Sequence, residues 1–268
     1  MSLRSSAVAG QFYPAGCEEV KGYLARFEKV LQDNGFESSA VAVTPQMIIV
    51  PHAGYVYSGF TADVAFKTAR EKRSETQTVV VIGPSHRVYL EGASVARYEA
   101  YETPCGTLAV DTALSERLYG QFDFVGFMPE AHREHSTEVQ MPFVKHYFPE
   151  AAVVEIVYGD VAPSQLTELI DAVLKDARAL VVISTDLSHF HTLSEAKGLD
   201  TLCMQGVADL DLAGLESGCE ACGLLGVKAA VYAANKRGLK SVLLDYRTSA
   251  DVTKDEGSVV GYLSAVIG

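Results

Sequence analysis

The chain has 268 residues, 48% hydrophobic and 21% charged, with 34 acidic against 22 basic side chains and a formal net charge of -12. A surface that acidic repels phosphate backbones and anionic lipids, which argues against nucleic-acid and membrane-surface partners. No apolar run approaches the ~20 residues that span a bilayer, and the N-terminus lacks a signal peptide's apolar stretch, so the reading is a cytoplasmic protein. At this length a core forms without staples, so a metal here is more readily functional than structural.

In chain order, Glu18 to Gln32 carries Val20, Leu24, Phe27 and Leu31 at helical spacing, and Asn34-Gly35 stops it. An apolar strand at Met47–Val50 and a helix from Phe60 to Lys72 follow, then a strand at Thr78–Ile82 and a turn-rich excursion from Pro84 to Gly106. Asp111 reads as the N-cap of a helix reaching Tyr119, and Glu134 to Tyr147 as a helix bent at Pro142. The remainder alternates: strand 152–158, helix 164–176, strand 180–183, helices 194–208 and 223–237, and closing strands 241–246 and 259–266, the last two suited to antiparallel pairing. Strands alternating with helices of ten to fifteen residues predict a single α/β domain over residues 1–268. Its central sheet is mixed and mostly parallel, with helices on both faces.

Three of these strands run into residues that handle metals or protons. "MIIVPHAGYVYSG" places His52 just past Pro51, "VVVIGPSH" places His86 past Gly83-Pro84, and "LVVISTDLSHFH" leads to Asp186 and His189. Ligands in such sheets sit outside the carboxyl ends of parallel strands. If the three strands are neighbours, these side chains converge on one crevice. The plain alternative for each is a strand-end His bonded to a loop carbonyl, or an Asp capping a turn. A fourth stretch, "HREHSTEVQMPF", puts His135 and Glu138 on one face of a helix start, as a proton relay, ligand or substrate contact, or else as a capping arrangement. His132 and His146 read as surface or filler.

The five cysteines are an odd number at mostly wide spacing, which suits free thiols in a reducing compartment. Cys222 precedes Gly223 and a helix, where the dipole stabilises a thiolate for ligation or attack. With Cys219 it spells Cys-x-x-Cys, although too late in a long chain for a thioredoxin motif. Nucleophile-elbow, phosphate-loop and dinucleotide glycine patterns are absent from the sequence.

Taken in order, "PHAGYVYSG", "GPSHRV", "YETPCGTLAVD", "EHSTEVQMPF", "STDLSHF", the Cys222-Gly223 pair and "GSVVGYLSAV" resemble the Memo family, also called the B component of the AmmeMemoRadiSam system. The resemblance implies a fold similar to the catalytic subunit of class III extradiol ring-cleaving dioxygenases. It also implies a metal on His52, His86 and Cys222, with Cys222 standing where those enzymes have a carboxylate. Iron(II) is the first expectation, copper or zinc the alternatives, because a thiolate is softer than a carboxylate. Asp186 and His189 match the family's D-x-x-H segment, with His189 as acid/base, and His135 and Glu138 match its EHS-x-E segment. Function is expected to be redox chemistry on an unknown small-molecule or peptide ligand. The alternatives are a binding scaffold using the same pocket and a zinc hydrolase. Radical SAM and AMMECR-type proteins are the implied associates.

Overall fold

The computed structural model describes residues 2–268. Its elements are β1 (Leu3–Arg4), α1 (Cys17–Asp33), β2 (Met47–Val50), α2 (Tyr55–Lys72), β3 (Thr78–Pro84), β4 (Ala93–Val95), β5 (Ala100–Thr103) and β6 (Gly106–Ala109). There follow α3 (Thr112–Gln121), β7 (Val125–Gly126), α4 (His135–Glu138), α5 (Met141–Tyr147), β8 (Ala152–Tyr158), α6 (Pro163–Val173) and β9 (Ala179–Ser184). The chain closes with β10 (His189–His191), α7 (Leu193–Ala208), α8 (Leu212–Glu216), α9 (Leu224–Arg237), β11 (Ser241–Thr248), α10 (Ala250–Thr253) and β12 (Val259–Ile267).

The large sheet runs β10-β12-β2-β9-β3-β8-β4-β7, with β11 also paired to β12, and a small sheet runs β1-β5-β6. Its centre is parallel: β2 pairs β9, β9 pairs β3 and β3 pairs β8. Antiparallel neighbours flank that centre, β12 on β2 and β4 on β8. The α/β architecture predicted from the alternating pattern is therefore present, parallel where it matters for the site and mixed at the flanks.

Side-chain alternation sorts the central strands onto two faces. Met47, Ile49, Val80, Ile82, Val181 and Ile183 join one buried cluster with residues of α6 and α9. Ile48, Val50, Val79, Val81, Leu180 and Val182 join a second with residues of α1, α2 and α5. Strands covered on both sides read as continuous apolar runs, which is why they were legible.

Several local readings are corrected. The helix after β2 begins at Tyr55 rather than Phe60, with Gly54 as its N-cap. The segment 134–147 is two helices rather than one bent helix, and Pro142 sits in the first turn of the second, where its missing N–H costs nothing. The excursion after β3 contains strands β4 and β5. Four of the five cysteines are not free thiols: Cys17 is bonded to Cys105 and Cys203 to Cys219, leaving Cys222 free. The cysteine count hid this because pairing depends on spatial proximity across 88 and 16 residues of chain. The disulfides remove the basis for assigning a reducing compartment. Among the described residues no helix is long and apolar enough to cross a membrane.

One buried acid marks a cost inside this core. Asp63 on α2 is fully buried; its Oδ1 accepts the Tyr147 hydroxyl at 2.7 Å, while Oδ2 has no hydrogen-bond partner among the described residues. Burial pushes its carboxyl up to about 7. The folded chain thus holds a proton that the unfolded chain, titrating near 3.9, releases. This group's contribution to stability is complete below about pH 4 and is lost as pH rises toward 7. Asp63→Asn should stabilise the protein by roughly 2–4 kcal/mol at pH 8 and by almost nothing at pH 4. Urea melts at the two pH values measure the difference.

Candidate metal centre

His52, His86 and Asp186 each stand two residues beyond the end of a strand, β2, β3 and β9 respectively. The strand ends are nearly level: Val50 is paired with Ser184 and Ile183 with Ile82, and β3 runs two residues past Ile82 to Pro84. One register therefore delivers all three side chains to one place. Cys222 arrives from the far side of the sequence, on the stretch between α8 and α9. Its backbone N–H donates to the Asp186 carbonyl at 3.2 Å, and the Gly223 N–H donates to Thr185 Oγ1 at 2.8 Å. A Cβ on Gly223 would lie 2.7 Å from Thr185 Cβ, so only glycine lets this segment press against the end of β9.

The ligand atoms of His52, His86 and Cys222 all lie within 4.8 Å of one another. His52 Nε2 is 3.3 Å from Cys222 Sγ. Tetrahedral zinc-like bonds of ~2.0–2.3 Å place neighbouring donors about 3.5 Å apart, so this spacing suits a shared cation. Hydrogen bonding also fixes which ring nitrogen is available. Ser184 Oγ gives its single proton to the Ser136 carbonyl and accepts from Gln140 Nε2. Gln140 Nε2 also donates to the Pro51 carbonyl, which settles the orientation of the amide. The 3.0 Å contact between His52 Nδ1 and Ser184 Oγ is then the imidazole N–H donating. His86 Nδ1 donates to the Pro84 carbonyl at 3.1 Å. Both rings carry their proton on Nδ1 and present a bare Nε2, the form a metal requires. Burial, reinforced by the neighbouring histidines, keeps His52 well below the ordinary histidine range, and His86 is lowered for the same reasons.

Asp186 is almost fully buried and accepts the backbone N–H of His52 at 2.7 Å and of Ala53 at 3.3 Å. Burial raises its carboxyl to about 6. Its role in this geometry is to lock the loop that carries His52. Burial, with Asp186 adding to it, pushes the Cys222 thiol up to about 12. Cys222 precedes the Gly223 cap and is half-buried beside Asp186, so burial opposes the thiolate stabilisation expected from the helix dipole. A coordinating cation deprotonates such a thiol outright. The thiol is therefore suited to ligation and poorly suited to free nucleophilic attack.

His189 opens β10, where a register shift against β12 leaves Phe190 in the left-handed region at φ 63° with its ring exposed. Half-buried, His189 lies within electrostatic reach of His52, His86 and Asp186. His135 packs into the same cluster, its ring centroid 5.3 Å from His52 and 4.9 Å from His86, and it stacks on Phe12 at 4.6 Å.

Glu138 is elsewhere. The sequence reading pairs it with His135 on one helix face, but α4 is a single turn and its two ends face different partners. The Glu138 carboxylate accepts the N–H groups of Ala7 and Val8, the Tyr13 hydroxyl at 2.7 Å and the Arg4 guanidinium, and so ties the N-terminal segment to the core. His132 is likewise corrected: it is fully buried rather than surface, with Nδ1 2.9 Å from Glu155 Oε2 and Nε2 2.8 Å from Ser94 Oγ. This has the connectivity of a serine triad, yet all three residues are buried and Ser94 Oγ accepts the Met128 N–H, so it serves as a core network.

Sequence reasoning missed Glu134, Ser184 and Gln140. Glu134 is buried and accepts three backbone N–H groups, from His86 at 2.6 Å, Arg87 at 3.2 Å and His135 at 2.8 Å. Burial alone would raise it, but these bonds and the adjacent imidazoles hold it at about 2. His86, Glu134 and His135 also form a close group. However, Glu134 Oε1 is only 2.7 Å from His135 Nδ1, closer than two donors on one cation, so Glu134 braces the two loops through its backbone bonds. A lone acid just before a helix was the available signal for Glu134. For Ser184 and Gln140 it was a polar residue ending, or interrupting, an apolar run.

A family model for Memo-like proteins matches residues 4–266. The chain belongs to the Memo family. It is 31% identical over 272 residues to the MEMO1 family protein TV1383 of Thermoplasma volcanium, covering 98% of each. It is 32% identical over 278 residues to a MEMO1 family protein of Aquifex aeolicus, covering 99% of each. Among solved structures, the uncharacterized protein JW3007 of Escherichia coli K12 matches with a TM-score of 0.55 at 15% identity, covering 83% of this chain and 99% of that one, a likeness of fold alone.

In the Memo chain Glu138 lies apart from the candidate metal centre and its effect is on stability. Glu138→Ala leaves the buried Arg4 guanidinium without its main partner and should cost about 3–5 kcal/mol in a urea melt. Glu138→Gln, which keeps acceptor and shape, should lose less.

Proposed function

We propose that this Memo-family protein is a metal-dependent redox enzyme in which His52, His86 and Cys222 hold iron or copper and His189 carries protons. The observation that supports it most directly is the pair of bare Nε2 atoms, locked by Ser184 and the Pro84 carbonyl, facing one thiol. Two imidazoles and one soft sulfur suit copper or a retuned iron better than a hard cation. When bound, such a metal supplies one-electron chemistry at a site open on the side of the exposed His86.

The chain's own residues would do the rest. Asp186 keeps the His52 loop in place, Glu134 clamps the loops of His86 and His135 together, and half-buried His189 is placed to give or take a proton at the mouth. Exposed aromatic rings close in sequence to these residues, Tyr57 in the first turn of α2, Tyr89 after His86 and Phe190 in β10, favour an organic ligand held by stacking and apolar contact. Such rings are also what a non-catalytic recognition pocket would need, and chelation distinguishes the two, because scaffold binding would survive metal removal.

Protein purified without oxygen should contain about one iron or copper per chain by elemental analysis, and His52→Ala should lose it. The loaded protein should consume oxygen with a reductant or substrate present. Metal-loaded protein without redox turnover would defeat the enzymatic reading. Glu134→Ala should weaken metal binding by about ten- to a hundredfold, as loss of an outer brace does elsewhere, measured by competitive chelator titration.

A further inference from the structure

We infer that the Cys203–Cys219 disulfide positions the Cys222 ligand, so that metal retention depends on the oxidation state of a pair outside the coordinating set. The inference rests on the metal reading above and adds redox control to it.

Cys222 belongs to no regular element; residues 217–223 bridge α8 and α9. On the C-terminal side this stretch is fixed by the Gly223 bond to Thr185 and by the start of α9. On the N-terminal side it begins at Gly218, φ 144°, a conformation that only glycine adopts easily. The next residue, Cys219, is bonded to Cys203 in the buried face of α7, and both are in the core. The other polar tethers on that side are the local bonds of Ser217 to the Gly214 carbonyl and an exposed ion pair of Glu220 with His191, and such pairs contribute little. The covalent link is thus the strong anchor, three residues from the sulfur whose placement decides ligation. This also accounts for the Cys219-x-x-Cys222 spacing: the first cysteine anchors and the second ligates.

Reduction by a dithiol breaks the Cys203–Cys219 bond. Two electrons and two protons pass to the cysteines, giving two thiols, and the reductant becomes a disulfide. Cys222 is chemically unchanged, but its segment keeps only noncovalent holds on the side of Gly218. The Cys17–Cys105 disulfide, which joins the start of α1 to the β5–β6 turn, has no part in holding 217–223 and serves as an internal control.

The test uses Co(II) as probe, because its sulfur charge-transfer band reports Cys222 ligation directly. Four full-length samples are titrated: oxidised wild type, wild type reduced with dithiothreitol and desalted without oxygen, Cys203→Ser/Cys219→Ser, and Cys17→Ser/Cys105→Ser. Affinity should fall by about ten- to a hundredfold in the second and third and stay unchanged in the fourth. Under denaturing, oxidising conditions the wild type should show one reactive thiol, and after reduction five. Equal or tighter binding after reduction overturns the inference alone, as does a count of five thiols before it. A missing charge-transfer band in oxidised wild type overturns the metal reading and this inference together. If the Cys203→Ser/Cys219→Ser protein fails to fold by circular dichroism, reduced wild type decides.

Discussion

The level register of β2, β9 and β3 is the constraint on which the site depends. Parallel strands in one sheet point their carboxyl ends the same way, and Val50, Ser184 and Ile82 end up side by side or nearly so. Just past their ends at Val50, Ser184 and Pro84 the three strands leave the sheet, and what each carries two residues on lies at the same end of it. A slip of one residue would reverse the faces of every side chain in that strand and separate the ligands. The buried apolar faces on both sides resist such a slip, so core packing and site geometry are set by the same contacts.

Around the candidate metal centre, each polar group is distinguished by what it has left to offer. Ser184 and the Pro84 carbonyl engage Nδ1 of the two histidines and leave Nε2. Asp186 has Oδ1, and Glu134 both of its oxygens, occupied by backbone N–H groups, so they act on loops before they act on any ligand. Glu138 is committed entirely to residues 4–13. Three acids close together in sequence or space thus have different roles, and the count of their hydrogen bonds separates them.

The buried acids also show how the fold combines stability with function. Glu155 and Glu138 are each matched by a cation or donors in the core. Asp63, with one oxygen unmatched, is not, and burial raises its affinity for a proton. The pairing of charges inside this acidic chain is local. Its net charge of -12 shapes what approaches the surface rather than what holds the core.

The amino-acid order by itself determined the central strands, because a strand buried on both faces must be apolar throughout, and it determined that His52, His86 and Asp186 would stand at their ends. It marked Asp111 as a helix cap, which the bond from the Leu114 N–H shows it to be. Tertiary structure alone decided the rest. Whether Glu134 or Glu138 faces the imidazoles depends on the rotation of a one-turn helix, and sequence periodicity has no purchase over four residues. Whether a cysteine is a thiol or half of a disulfide depends on which elements pack together, as α7 does against the segment before Cys222. How far burial opposes ionisation of that thiol depends on its neighbours, a property of three dimensions that no local pattern encodes.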